Sequence, residues 1–310
     1  MTSSRRSGIL LLILAATGYA FFPIFTKFAF DAGAAPLDLI TWRFLIATPF
    51  IWLLLSLSQR GRANAAAGDA ARGGRAQLAG IPIIPMLLLG ALFGLVSLTA
   101  FSPLQPRPAS TYPLLLYPSP AVVALLLLLL GEPLSGRGWL ALALTLVGVA
   151  LTVPDLANAF SGGDGVGMLL ALANGAQYAV YIVISSRVLR GRPALLTASA
   201  LSITGSLLLM IVLAAFNGLH LPDSTALWLI ALGIGLVSTV LTNICFYAGM
   251  QRVGAGQAAI LSMLEPVIVL LLSFALLGES LLAVQLVGGA LILASAVLLQ
   301  LPSRRAASAR

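Results

Sequence analysis

Gly131-Glu132-Pro133-Leu134 returns later in the chain as Gly278-Glu279-Ser280-Leu281. The residues after each copy align without a gap as a short helix of small and aliphatic side chains. Upstream, Phe93-Gly94-Leu95-Val96-Ser97 is matched by Ile234-Gly235-Leu236-Val237-Ser238. Near the front, Gly8 and Tyr19-Ala20 are matched by Gly167 and Tyr178-Ala179. The order is the same in both series, so the chain reads as two copies of one unit. The copies differ between Gly94 and Phe101, where the first is about one helical turn shorter than the second between Gly235 and Phe246.

The solvent for these copies is lipid. The chain is 60% hydrophobic and only 8% charged, with a mean hydropathy of +1.05. A soluble domain carries about 25% charge and about 45–50% apolar residues. A span of the hydrocarbon core takes about 20 apolar residues. Ten candidates are present: 8–28, 38–57, 79–101, 109–130, 137–153, 166–187, 195–216, 225–247, 254–277 and 281–301. The fold class is therefore an all-α integral membrane protein of ten transmembrane helices. Residues 1–153 form a first five-helix repeat, 154–301 a second, and 302–310 a short basic tail. Five is odd, so the two copies lie in opposite orientations, which is the inverted-repeat plan of many secondary transporters.

Charge placement agrees with that count. With the N-terminus inside, all of the 17 basic residues except Lys27, Arg43 and Arg107 fall on the cytoplasmic side. Asp31, Asp38, Asp155, Asp164, Asp223 and Glu279 fall outside. This is the positive-inside pattern, and it places both termini in the cytoplasm. The net charge of +8 is thus a topology signal rather than a nucleic-acid footprint. Ser4-Arg5-Arg6-Ser7 before an apolar run resembles a twin-arginine export signal. The further apolar runs downstream favour a first helix anchored by inside positive charge. Cys245 is the one cysteine, so no disulfide forms within the chain. No phosphate loop, His-Glu-x-x-His helix, Ser/His pair or acidic metal cluster is found. No catalytic residue, metal or cofactor is expected.

Paired five-helix units ending in Gly-Glu turns, Trp42-Arg43-Phe44-Leu45-Ile46-Ala47 in the second helix and Leu264-Glu265-Pro266 in the ninth together resemble the EamA-type branch of the drug/metabolite transporter superfamily. The resemblance covers nearly the whole chain. It implies a multi-pass carrier of the bacterial inner membrane, often an exporter, for amino acids and related metabolites. The chain departs from the family pattern in the fourth helix. Pro103, Pro106, Pro108, Pro113, Pro118 and Pro120 crowd together there, so a broken helix facing protein or a wet cavity is expected.

Polar side chains at membrane depth are the informative ones. Glu265 lies about halfway along the ninth helix. A carboxylate at the bilayer centre costs about 2.5–3.5 kcal/mol on insertion scales. Glu265 is either a proton-coupling or substrate-amine site, or a neutral acid bonded to a neighbouring backbone. Asn174, Gln177, Tyr178 and Tyr181 share one face of the sixth helix, and Tyr19 and Phe22 occupy the positions equivalent to Tyr178 and Tyr181. These faces are expected to line a central cavity for a zwitterion, or else to join helices. Asn243, Tyr247 and Gln257 are weaker cases of the same kind. Arg43 can snorkel to headgroups, pair with Asp38 or meet a substrate carboxylate, and the first two are favoured. Glu132 and Glu279 are expected to cap turns or pair with basic residues.

The expected function is secondary transport of a small solute, with protons as a possible coupling ion and the bilayer as the other partner. A non-transporting membrane scaffold is the alternative. One chain encloses a pathway, so a monomer is the default. A C-terminal fusion tests the topology: green fluorescent protein fluoresces there and alkaline phosphatase stays inactive. The reverse pair of results would remove one span.

Overall fold

The computed structural model describes residues 3–65, 81–101, 119–152, 165–192 and 194–300. The basic stretch beyond Ala65, the prolines from Pro103 to Pro118 and the 302–310 tail lie outside the described residues. Ten helices succeed one another among the described residues. The first copy holds α1 (Ser3–Asp31), α2 (Pro36–Ala65), α3 (Ile83–Phe101), α4 (Ser119–Leu129) and α5 (Gly136–Thr152). The second holds α6 (Gly165–Val188), α7 (Leu195–Asn217), α8 (Thr225–Val253), α9 (Ala255–Leu277) and α10 (Ala283–Gln300).

Two of these are not continuous α-helices. α8 carries a π-helical stretch, Leu236–Leu241. It begins inside the segment that matches the first copy and runs into the part where the two copies cease to align. α9 is broken into Ala255–Ser262 and Glu265–Leu277. A single apolar run over 254–277 predicts no such break, and its cause is Pro266. A proline has no N–H to donate and disfavours an α-conformation in the residue before it. α2 also continues as helix past residue 57, through a stretch whose polar composition suggests a loop.

The packing obeys a pseudo-two-fold axis. α3 packs on α7 as α8 packs on α2; α1 packs on α8 as α6 packs on α3; α1 packs on α9 as α6 packs on α4. The pairs α2–α7, α4–α9 and α5–α10 are each related to themselves by the axis. Association in lipid relies on close packing, because hydrocarbon gives no hydrophobic drive between helices. Glycine supplies it. A Cβ on Gly90 of α3 would land on the Ser202 carbonyl of α7, and one on Gly205 on the Leu87 carbonyl in return. The Ser206 hydroxyl of α7 donates to the Gly90 carbonyl at 2.6 Å. Gly148 of α5 and Gly288 of α10 face each other's backbone in the same way.

The Gly-Glu turns that first exposed the repeat have a conformational reason. Gly131 and Gly278 take φ of 75° and 68°, the left-handed conformation that ends a helix and suits glycine. Outward, the helices present large apolar side chains: Leu129 is 82% exposed and Phe216 84% exposed. In water this would be a liability; here it is the lipid-facing belt. Six described helices are long and apolar enough to cross a membrane, and α4, α5 and α10 are shorter apolar helices.

Gly90→Val tests the close approach. It should cost about 1–3 kcal/mol or more by overpacking, read as a lower melting temperature in detergent. Gly136→Ala, with nothing within 4 Å of the added Cβ, should leave the melting temperature unchanged.

Candidate functional site

Near the axis, α1, α2, α3, α6 and α9 enclose a chamber of about 30 Å³ lined by Tyr19, Phe22, Arg43, Phe93, Val96, Ser97, Tyr178 and Glu265. That volume holds a water or two and nothing larger. Four of these eight residues are aromatic, and among them all stand one cation and one carboxyl group. Glu265 opens the second half of α9 at 4% exposure. The Tyr19 side chain is buried at the chamber wall.

Arg43 is 2% exposed. Its Nε donates to the Thr239 hydroxyl at 2.6 Å, and its terminal nitrogens donate to the Ser97 hydroxyl at 3.3 Å and the Ser238 carbonyl at 3.4 Å. The guanidinium carbon lies 4.5 Å from the centre of the Phe22 ring, 5.1 Å from Phe44 and 5.3 Å from Phe93, within cation–π range. Snorkelling and pairing with Asp38, the readings favoured from sequence, are both overturned. Asp38 instead meets His220, with Nδ1 at 3.1 Å and the backbone N–H at 3.2 Å. Trp42 Nε1 donates to the His220 carbonyl at 2.8 Å. α2 therefore uses one turn to tie down the α7–α8 loop and turns Arg43 inward.

The expected site residues divide. Tyr19, Phe22, Tyr178 and Glu265 meet in the chamber. Asn174 and Gln177 are not among its lining residues. Asn174 Nδ2 donates to the Val96 carbonyl at 2.6 Å and the Thr99 hydroxyl at 2.7 Å, and the Gln177 carbonyl accepts from Thr99 at 3.3 Å. Both amides thus join α6 to α3. Tyr181 stacks on Phe93 at 5.2 Å and donates to the Tyr247 hydroxyl at 3.0 Å. Tyr247 passes the chain to Ser202 at 3.1 Å, and Asn243 reaches the Tyr181 hydroxyl at 3.4 Å. This network forms the wall behind the chamber. Arg43, Phe93, Val96 and Ser97 were not counted as site residues from sequence. The available signal was a cation inside an apolar run.

A wider vestibule of about 720 Å³ opens at one face, between the ends of α4, α6 and α8 and the start of α9. Glu132, Arg190, Arg192, Gln251, Gln257 and Ile260 are among its lining residues. The Arg190 guanidinium donates to both oxygens of Glu132 at 2.9 and 3.0 Å, and Arg187 lies 3.6 Å away. Glu132 thus pairs with basic residues as expected. The bond from Arg190 holds the Glu132 carboxyl below the ordinary range. The pair therefore persists at neutral pH and weakens only as the pH falls through that lowered value. Ile260 on the first half of α9 faces the vestibule and Glu265 on the second half faces the chamber. The break in α9 lies between the two. The Asp38–His220–Trp42 cluster belongs to the opposite ends of these helices. Among the described residues no His, Cys, Asp and Glu cluster suits a metal ion.

Asn174→Ala distinguishes helix joining from ligand binding. It should lower stability by about 0.5–2 kcal/mol, the range of interhelical hydrogen bonds in membranes, with substrate affinity unchanged. Weaker affinity at native stability would make Asn174 a ligand.

Known proteins share this architecture. The EamA-like transporter family matches residues 6–153 and again 165–301. An uncharacterized transporter of Archaeoglobus fulgidus is 30% identical over 214 residues, 68% of this chain and 75% of its own. An uncharacterized transporter of Bacillus subtilis, YcbK, is 22% identical over 91% of this chain and 89% of its own. The uncharacterized inner membrane transporter YicL of Salmonella typhimurium is 37% identical over about a third of each chain. A solved crystal structure superposes with a TM-score of 0.70 over 97% of this chain and 99% of that one, at 22% identity, which is a likeness of fold. This ten-helix, multi-pass membrane protein, built from two EamA repeats, is a transporter and not an enzyme, and it belongs to the EamA-like transporter family.

Proposed function

We propose that this chain is a secondary carrier that exports amino acids or related zwitterions across a bacterial inner membrane by alternating access, coupled to protons through Glu265. The chamber carries this reading: a cation and a carboxyl group share an aromatic-walled space close to the axis that relates the two copies. A zwitterion offers the complementary pair of charges. A scaffold has no use for ionisable groups at membrane depth, where they are expensive to place.

Alternating access is a consequence of the inverted repeat. If each copy takes the other's conformation, the open face closes and the closed face opens. The vestibule face carries Glu132 beside Arg187, Arg190 and Arg192, and Arg252 lies near it on α8. The positive-inside rule assigns such a basic face to the cytoplasm. This conformation is then the one that loads from inside, as an exporter requires. The Asp38–His220 pair and Trp42 hold the external side shut. One chain encloses the chamber, which fits a monomeric transport unit.

Glu265 faces the chamber and is buried, so its proton exchanges with the pathway and not with bulk solvent. Cells expressing the native chain should accumulate a small set of related amino acids in the medium, more strongly when the outside is acidic. Glu265→Gln at matched abundance should abolish the pH dependence and most of the export. Normal export with the native pH profile would remove Glu265 from coupling.

A further inference from the structure

Arg43 is more than one of two charges in a chamber. Ser97 and Ser238, which both accept from its guanidinium, hold equivalent positions in the two copies. The cation from α2 therefore bridges symmetry-related points on α3 and α8. Its shortest bond among the described residues goes to Thr239, whose hydroxyl in turn donates to the Ile234 carbonyl at 2.9 Å. Ser238 and Thr239 both lie in the π-helical stretch of α8. There the backbone pairs five residues apart instead of four, and π-stretches recur at functional sites. Arg43 thus fastens a helix of the first copy to the irregular turn of a helix in the second.

These three acceptors among the described residues are neutral, and two of the bonds are long. A carboxylate offers a planar guanidinium two parallel, charge-assisted bonds, which are roughly twice as strong as neutral ones. The chamber has no room for a substrate beside the present arrangement. Whatever enters must move side chains, and the group it can repay best is Arg43. We infer that Arg43 is the specificity-determining group of the carrier: it takes the substrate's carboxylate as a bidentate pair, releases Ser97, Ser238 and Thr239, and so frees α2 from the π-stretch of α8. The inference rests on the chamber being the substrate site. It adds the group that holds the substrate's carboxylate, the apolar body suited to Phe22, Phe93 and Tyr178, and a device by which occupancy loosens the tie between copies.

The test uses the full chain in lipid nanodiscs. The proteinogenic L-amino acids are screened for binding by calorimetry, and each binder is compared with its carboxamide, which lacks only the carboxylate. The native chain should bind the acid about tenfold or more tightly than the amide, as loss of a bond to a charged group requires. Arg43→Gln should bind both equally weakly, and Arg43→Lys should restore part of the preference. Thr239→Val removes the competing acceptor, so it should tighten the acid about threefold to tenfold and leave the amide unchanged. If Arg43→Gln does not fold, the native preference and Thr239→Val still decide. Acid and amide binding alike would overturn the carboxylate assignment and leave the carrier reading standing. An unchanged or weaker acid in Thr239→Val would overturn the release step. No amino acid binding at all would overturn both this inference and the amino-acid reading beneath it.

Discussion

A backbone amide or carbonyl left bare in hydrocarbon costs several kcal/mol, and lipid offers it no partner. Every departure from regular α-helix at membrane depth must therefore be buried in protein. Among the described residues of this chain the departures gather around one place. The π-stretch of α8 keeps Ser238, Thr239 and Val240 buried. At the break in α9, Met263 and Leu264 are buried, and their N–H groups bond three residues back, to Ile260 at 3.2 Å and Leu261 at 3.1 Å. Both irregular points lie beside the chamber, through Arg43 and Glu265, so the constraint that forbids them elsewhere also concentrates polar chemistry there.

The two copies agree in their packing and differ in their chemistry. Helix contacts obey the axis pair by pair, and the glycine contacts between α3 and α7 and between α5 and α10 set the separations. The charges do not obey it. α2 supplies Arg43, whereas α7 has no charged residue along its length. The second half of α9 opens with Glu265-Pro266, whereas α4 opens with Ser119-Pro120. Among the described residues each copy thus contributes one acidic or basic side chain, of opposite kind, to a site shared by both. Symmetry in the scaffold permits two exchanging conformations, and asymmetry in the lining gives the site a polar direction.

Much of the scaffold could be read from residues. The Gly131 and Gly278 turns, the matched Phe93–Ser97 and Ile234–Ser238 segments and the apolar runs led to ten helices in two copies, and to the family. The break in α9 was not anticipated, although Pro266 was visible, because a proline in a membrane helix is often accommodated without a break. The site was less legible. Tyr19, Phe22, Tyr178 and Glu265 were found as polar or aromatic residues at membrane depth. Asn174 and Gln177 belong to the same helical face as Tyr178, yet they bond α3, because one face of α6 spans both a neighbour and a cavity. Arg43 was misjudged because its place near the start of α2 suggested the membrane surface.

By itself, the sequence determined the features set by periodicity and solvent: lipid as the medium, the number of spans and the duplication of a five-helix unit. These depend on runs of apolar residues and on local turn chemistry, which a chain carries wherever it folds. Only the tertiary structure decided which polar groups meet. The pairing of Asp38 with His220, the docking of Arg43 on the π-stretch and the joining of α6 to α3 each bring together residues far apart in the chain. Such contacts are fixed by helix rotation and depth, and those are set by packing between helices that no single segment encodes.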